Sequence, residues 1–440
     1  MLSTSTTMTR GELEYETNLT LCLPRPSSGL DPRAPVLVNS PIPRSIPPDH
    51  VLIRVDRFGF SANNITYQAL GEHPHFRYFD FHPAPETHPV SPHTHGLIPV
   101  WGFGTILEST HPKIHAGERV YGYLAPTRYL VVSVSSSDVN KHAFYVPRPH
   151  LPPDRRPYNQ IIRCANDPTY DPNPVIEDVT MLYRPLFWTA YWCEDWLSST
   201  NYRNGATTIL ISSASSKTAF CLAYLIRKRL ARQTDGINPN TKVIGLTSRK
   251  NVAFTQKLGF YHEVLEYDTF VNAPLLQGKG NRKRIYLDVA GNDNLNERIL
   301  EFFSTQDTEN LAGLISLGMT NVSPSTSASN VEWKENNFGS SEKRGTGTQT
   351  GFENFFMVEW LNVRKHQLPM EEIFRRQNEA WKDLMKDGIS WVQLTRIYGG
   401  EQVKREYTRL AKQGLGPDQG MIWSLWDEQL DSKYMGTAKL

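Results

Sequence analysis

The stretch Gly205–Ala231, GATTILISSASSKTAFCLAYLIRKRLA, decides how this chain is read, because it passes without a break from strand to tight turn to amphipathic helix. Thr207 to Ile211 are β-branched or apolar throughout, the pattern of a strand buried on both faces of a parallel sheet. Small polar residues follow at once, Ser212-Ser213-Ala214-Ser215-Ser216-Lys217-Thr218-Ala219, and several of them can cap a helix. A helix N-terminus, with unpaired N–H groups and a positive dipole end, accepts anions. Phe220, Ala223, Tyr224 and Arg227-Lys228 then keep helical spacing.

Working outward, the same rhythm repeats downstream. Lys242 to Thr247 reads as a strand, Asn251 to Leu258 as a helix closed by Gly259, and His262 to Tyr267 as a short strand. Arg284 to Gly291 is a strand with a turn, Leu295 to Phe303 a helix, and Leu311 to Gly318 a strand. Alternation of this kind predicts an α/β fold with a doubly wound, mostly parallel sheet of Rossmann type, and it puts the serine turn at the end where such sheets bind ligands. Upstream the chain is mainly β. Val51 to Phe60, Leu97 to Glu108, His115 to Tyr123 and Tyr129 to Val134 supply strands, and Ser61 to Gly71 reads as a loop entering a helical turn. Val179 to Leu197 turns helical, with Ala190-Tyr191-Trp192 at the head of an aromatic helix. Near the far end, Ile373, Phe374, Trp381, Leu384 and Met385 share one helical face, and Val403, Tyr407 and Leu410 another. Ile422 to Trp426 is a last strand, returning either to the parallel sheet or to the N-terminal β-region.

A chain of 440 residues with 39% hydrophobic and 21% charged residues has the make-up of a globular enzyme of two or three domains. Lys and Arg number 47 against 45 acids, which provides no broad cationic footprint for nucleic acid or an anionic membrane. No apolar run approaches the roughly 20 residues that span a bilayer, and the N-terminus lacks the apolar core of a signal peptide, so a cytoplasmic location is expected. The 4 cysteines, Cys22, Cys164, Cys193 and Cys221, form no CxxC pair and read as reduced packing residues. His73, His75, His82, His88, His93 and His95 lie in a Pro-punctuated loop without an HExxH-like pattern, so they read as solvated or packing side chains and no metal site is expected.

The order of motifs resembles the medium-chain dehydrogenase/reductase superfamily in its zinc-free, quinone-oxidoreductase-like branch. Asn64 to Gly71, PVWGFGTILES from Pro99, AGERVYGY from Ala116, TAYW from Thr189, ILISSASSKTA from Ile209, VIGLTS from Val243, EVLEYD from Glu263 and YLDVAGN from Tyr286 fall in that order. Closer still, WGFG with RPLFWTAY, LISSASSKTAF, GLTSRKNVAF and LDVAGN resembles the family known as DUF2855, over roughly Val51 to Trp426. The resemblance implies a GroES-like, mainly β domain over residues 1–180, completed by 352–440 with its helices and last strand. A Rossmann-like nucleotide-binding domain would occupy 181–320, and the polar stretch 321–351 reads as a mobile insertion. Zinc-dependent members carry a catalytic cysteine near the Asn63-Asn64 position and a four-cysteine lobe; this sequence has neither.

The family's glycine-rich turn, roughly G-A-x-G-G-V-G, corresponds here to Ser213 to Ala219, where no glycine remains. Glycine serves there because it lets the backbone approach a pyrophosphate without a Cβ clash. The expected cofactor is NADPH, with Ser213, Ser215, Ser216, Lys217 and Thr218 facing its phosphates. Thr247, Ser248 and Arg249 end the second strand, where an NAD site offers an acid to the ribose; a hydroxyl and the cations Arg249 and Lys250 suit a 2′-phosphate instead. Lys217 heads a helix, where a cation is disfavoured unless an anion shares the site, and its side chain is expected to contribute nothing to the core. Tyr67 stands where the relatives place a tyrosine near the nicotinamide and substrate, and a phenol there donates a proton or binds a carbonyl. Asn63 and Asn64 are expected as a pair on a substrate oxygen. These residues point to an NADPH-dependent, zinc-independent reductase of an activated alkene or carbonyl in a small molecule; a homodimer is one option for its assembly, which no residue pattern decides. Two alternatives stay open: a cofactor-free enzyme of the same fold performing C–C cleavage, hydrolysis or cyclisation, and a non-catalytic partner protein.

Overall fold

The computed structural model describes residues 17–232, 238–277, 283–306, 311–317 and 352–428; the expected insertion at 321–351 lies outside them. The described residues divide into two units, one of 17–182 and 392–428, the other of those between 183 and 391. In chain order the first contains β1 (Thr17–Pro24), β2 (Val36–Pro41), β3 (His50–Phe60), α1 (Ala62–Ala69), β4 (His95–Gly96), β5 (Val100–Ser109), β6 (Arg119–Leu124), β7 (Tyr129–Ser133), β8 (Ala143–Tyr145) and β9 (Gln160–Arg163). The boundary falls within α2 (Pro174–Ser199). There follow α3 (Asn201–Gly205), β10 (Thr208–Ile211), α4 (Lys217–Arg232), β11 (Lys242–Thr247), α5 (Val252–Lys257), β12 (Glu263–Glu266), β13 (Arg284–Asp288), α6 (Asp293–Gln306), β14 (Leu311–Ser316), β15 (Glu353–Asn354), α7 (Met357–Gln367) and α8 (Met370–Gly388). The first unit is completed by β16 (Gln393–Tyr398), α9 (Gly400–Gln413) and β17 (Gln419–Ser424).

The second unit is built on a sheet ordered β12-β11-β10-β13-β14-β15, with all neighbouring strands parallel. Counted from β10 this is the order 3-2-1-4-5-6, and β10 and β13 flank the point where the winding reverses. Ile209, Leu210 and Ile211 have 0% exposure, as a strand covered on both faces requires. A Cβ on Gly245 of β11 would lie 2.8 Å from the Ala214 Cβ, so the glycine of VIGLTS is what lets the serine turn close over its neighbouring strand.

In the first unit, β2-β1-β4 form one sheet, and β16-β17-β3-β5-β6-β9-β8, with β7 on β3, the other. Most pairings are antiparallel, β16 with β17 being parallel. A Cβ on Gly104 would stand 2.6 Å from the Arg54 carbonyl oxygen, so the second glycine of WGFG is required by the close approach of β5 to β3. The last strand settles here: Met421 pairs with Phe60 in antiparallel register, and the Trp423 ring stacks on Phe60 at 3.9 Å.

Three expectations are corrected. Residues 352–391 group with the parallel sheet, because β15 pairs with β14 through Ile315 and Glu353. Phe374 is 55% exposed although Ile373, Trp381 and Leu384 are buried, since one residue along a helix turns a side chain by about 100° off the apolar face. Helix α2 begins at Pro174, so Ala190-Tyr191-Trp192 lies well inside it and not at its head.

Candidate functional site

In the second unit, the turn from β10 to α4 keeps a glycine-like backbone without glycine: Ser213 has φ 50°, in the left-handed region. Hydrogen bonds hold it there. The Ser213 N–H donates to the Tyr267 hydroxyl at 2.9 Å, the Ala214 N–H to the Leu246 carbonyl at 3.0 Å, and the Tyr261 hydroxyl to the Ala214 carbonyl at 2.8 Å. Ser216 caps α4, its hydroxyl accepting from the Ala219 N–H at 3.4 Å. Ser215 acts as a brace, accepting from the Thr247 hydroxyl at 3.3 Å and the Asn251 amide at 3.0 Å.

The eight expected cofactor residues are therefore not equivalent. Ser213, Ser216 and Ser248 are partly exposed, whereas Ser215, Lys217, Thr218 and Thr247 are buried. Lys217 is only 7% exposed, which corrects the expectation that its side chain contributes nothing to the core: the first turn of α4 is covered on nearly all sides. Arg249 is 78% exposed and bonded to Glu266 at 3.0 Å. At the winding reversal, Ser212 donates to Asp288 at 2.9 Å, and Asp288 also accepts from the Ala290 and Gly291 N–H groups and the Asn296 amide. Burial pushes the Asp288 carboxyl above its ordinary value, and its hydrogen bonds fasten the turn after β13.

In the first unit, α1 separates the two asparagines. Asn64 is 4% exposed; its Oδ1 accepts from the Ser61 N–H at 2.8 Å and its amide donates to the Pro99 carbonyl at 3.4 Å, so it closes the capping box of α1. The expected pair on a substrate oxygen is thereby divided, leaving Asn63 beside the Tyr67 hydroxyl. Tyr67 is half-buried in an array of rings: its centroid lies 4.4 Å from Tyr78 and 5.8 Å from Tyr123, and Trp101 lies 4.8 Å from Tyr123. Burial, reinforced by Tyr158, pushes the Tyr67 phenol above its ordinary value, so it holds its proton through the neutral range. A phenol held in that form suits hydrogen bonding to an oxygen better than releasing its proton.

Sequence reading missed a buried charge cluster in this unit. Arg57 stands 3.0 Å from Glu177 and 3.2 Å from Asp178; Arg119 reaches Glu177 at 2.6 Å and pairs with Asp56, which Arg54 also holds; Arg396 meets Asp178 at 2.6 Å. Burial alone would raise the Asp56 carboxyl, but Arg54 and Arg119 outweigh it and hold it below the ordinary value. The one local signal was charge inside an otherwise apolar strand, Arg54-x-Asp56-Arg57. Of the histidines, His82 is buried and its Nε2 lies 3.1 Å from the Tyr123 carbonyl; burial and the Arg148 cation lower it to about 3. The four cysteines are buried and form no disulfide, and burial pushes Cys22 up to about 12.

A mainly antiparallel β-unit closed by the last strand and a parallel sheet in 3-2-1-4-5-6 order define a GroES-like plus Rossmann-type class of fold. Within that class the chain belongs to the family described as "Protein of unknown function (DUF2855)", whose pattern matches residues 58–416. Its fold is similar to a mutant form of enoyl thioester reductase from Candida tropicalis, with 15% identity, 93% of this chain and 99% of that chain covered, and a TM-score of 0.50. It is likewise similar to CurA from Vibrio vulnificus in complex with NADPH, at 12% identity, 92% and 98% coverage and a TM-score of 0.50. The Etr1p complex with NADP and crotonyl-CoA matches at 13% identity, 93% and 99% coverage and a TM-score of 0.52. Likeness at these identities concerns the fold. No curated protein matches the sequence.

Proposed function

We propose that this chain is an NADPH-dependent, zinc-independent reductase of an activated alkene or carbonyl in a small molecule. The observation that carries the reading is the turn after β10: it lies at the carboxyl end of the first strand of a 3-2-1-4-5-6 sheet and keeps left-handed geometry at Ser213. Its donor set fits a dinucleotide. Ser213 and Ser216 offer hydroxyls at the rim, Lys217 a cation in the first turn of α4, and Ser248 and Arg249 a hydroxyl and a guanidinium where the second strand ends. NADPH, when bound, supplies hydride to the substrate. The chain's own part is to hold the phosphates with these groups and to present the Tyr67 phenol and the Asn63 amide to a substrate oxygen. The names of the similar structures, with their NADP and NADPH complexes, support the same reading.

The burial of Ser215, Lys217 and Thr218 and the Ser212–Asp288 bond favour a second reading, in which the turn is sealed and the enzyme works without a cofactor on C–C cleavage, hydrolysis or cyclisation. Titrating the protein with NADPH and NADH by fluorescence or calorimetry separates them. The reductase reading expects NADPH to bind more tightly than NADH. If neither binds at millimolar concentration, the cofactor-free reading replaces it; if NADH binds more tightly, Ser248 and Arg249 have no part in cofactor choice.

A further inference from the structure

We propose that Trp101 and Tyr123, together with Tyr67, form a donor cluster that holds the carbonyl oxygen of an aromatic or conjugated small molecule. Tyr123 is the hub of an aromatic array within the β-unit: its ring centroid lies 5.8 Å from Tyr67, 4.8 Å from Trp101 and 5.3 Å from Tyr158. Tyr123 is 2% exposed, while Tyr67, Trp101 and Tyr158 are partly exposed. These rings present π-faces and edges to which a flat, conjugated ligand packs well.

The polar tips make the array more than a packed core. Among the described residues, the Trp101 indole nitrogen and the Tyr123 hydroxyl are shielded from solvent and have no hydrogen-bond partner. An indole N–H can only donate, so it needs an oxygen placed to accept from it, and a buried donor without one costs free energy. Both tips lie near enough to the Tyr67 hydroxyl to alter its acidity without reaching the geometry of a hydrogen bond. Three groups able to donate thus gather around one point; the two phenol oxygens can also accept, but neither the Trp101 N–H nor the Tyr123 hydroxyl stands in hydrogen-bond geometry to an acceptor among the described residues. Burial keeps the Tyr67 and Tyr123 phenols protonated, so they remain donors through the neutral range. A carbonyl oxygen, with two lone pairs and no proton of its own, is a group to which two such tips can donate at once. Trp101 and Tyr123 belong to β5 and β6, which pair through that very position in the sheet, Trp101 opposite Tyr123, so the two are set by backbone register and not by a loop.

The inference rests on the reading of the chain as an enzyme for a small molecule bearing such an oxygen, but not on its cofactor, and the test is made with cofactor absent. Benzylideneacetone, an aryl enone, and β-methylstyrene, which has the same conjugated frame without the oxygen, are each titrated by calorimetry. The enone should bind on the order of tenfold more tightly, the worth of about one hydrogen bond to a well-placed acceptor. Tyr123→Phe should abolish most of that preference while leaving the hydrocarbon's affinity unchanged. Trp101→Phe provides the same readout should the first variant fail to fold. Equal binding of the two probes, binding of neither, or a preference that survives both substitutions would overturn the proposal. Loss of NADPH binding alongside an intact enone preference would sink the reductase reading and leave this one standing.

Discussion

The serine turn and the aromatic array show opposite uses of polar atoms. The turn is rich in hydroxyls, and two buried ones are spent on the protein itself: Ser212 on Asp288, and Ser215 on Thr247 and Asn251. The array is built of rings, and its few polar tips at Trp101 and Tyr123 are left without partners. Counting polar side chains therefore overstates the turn and understates the array, because a group already bonded inside the fold has little left for a ligand. Lys217 is buried in the first turn of α4, and in the β-unit the buried Arg57 and Arg54 and the half-buried Arg119 pair with the buried Glu177 and Asp56.

The largest way to test the contrast is to break the charge cluster beneath the β-unit. Glu177→Ala leaves Arg57 and Arg119 without a principal partner, and removing one member of a buried pair costs about 3–5 kcal/mol; denaturant unfolding should show a much lower midpoint. An unchanged midpoint would mean that the arginines are served by Asp56 and Asp178 alone. His82 gives the next effect. Its folded value of about 3 lies below the ordinary 6.5, so the unfolded chain takes up the proton first and stability falls as pH drops from 6.5 towards 3. Between pH 6.5 and pH 5 the loss amounts to about 2 kcal/mol, and His82→Gln should flatten that part of the pH profile; a parent profile already flat there would show His82 to be exposed.

Lys217→Met keeps the buried stem and removes the charge. NADPH affinity should fall about tenfold, or about 1.4 kcal/mol. Unchanged affinity would take Lys217 out of the phosphate site and bring the turn closer to a purely structural element. The smallest effect belongs to Ser213, which sits at φ 50°. Ser213→Gly relieves left-handed strain of about 1 kcal/mol, partly offset by the greater freedom of glycine in the unfolded chain. A small rise in the melting temperature is expected; a fall would show that the serine side chain itself holds the turn.

Two neighbouring asparagines show how far local pattern reaches. Both Asn63 and Asn64 read alike from their loop, yet Asn64 is committed to the backbones of Ser61 and Pro99, and the second of these lies far along the chain. By itself the sequence determined the strand–turn–helix succession from β10 to β14, since a buried strand, a polar turn and an amphipathic helix each leave a short-range signature. It also marked Gly104 and Gly245 within recognisable motifs, and it offered Ile422 to Trp426 as a last strand with two destinations. Only the tertiary structure chose β3 as that strand's neighbour, placed 352–391 with the parallel sheet, buried Lys217, gathered Tyr67, Tyr78, Trp101, Tyr123 and Tyr158, and paired Asp56 with Arg119 and Asp178 with Arg396. The reason is the range of the interactions: periodicity and turn chemistry act over a few residues, whereas burial, hydrogen-bond satisfaction and charge pairing depend on partners that only the folded sheet brings within reach.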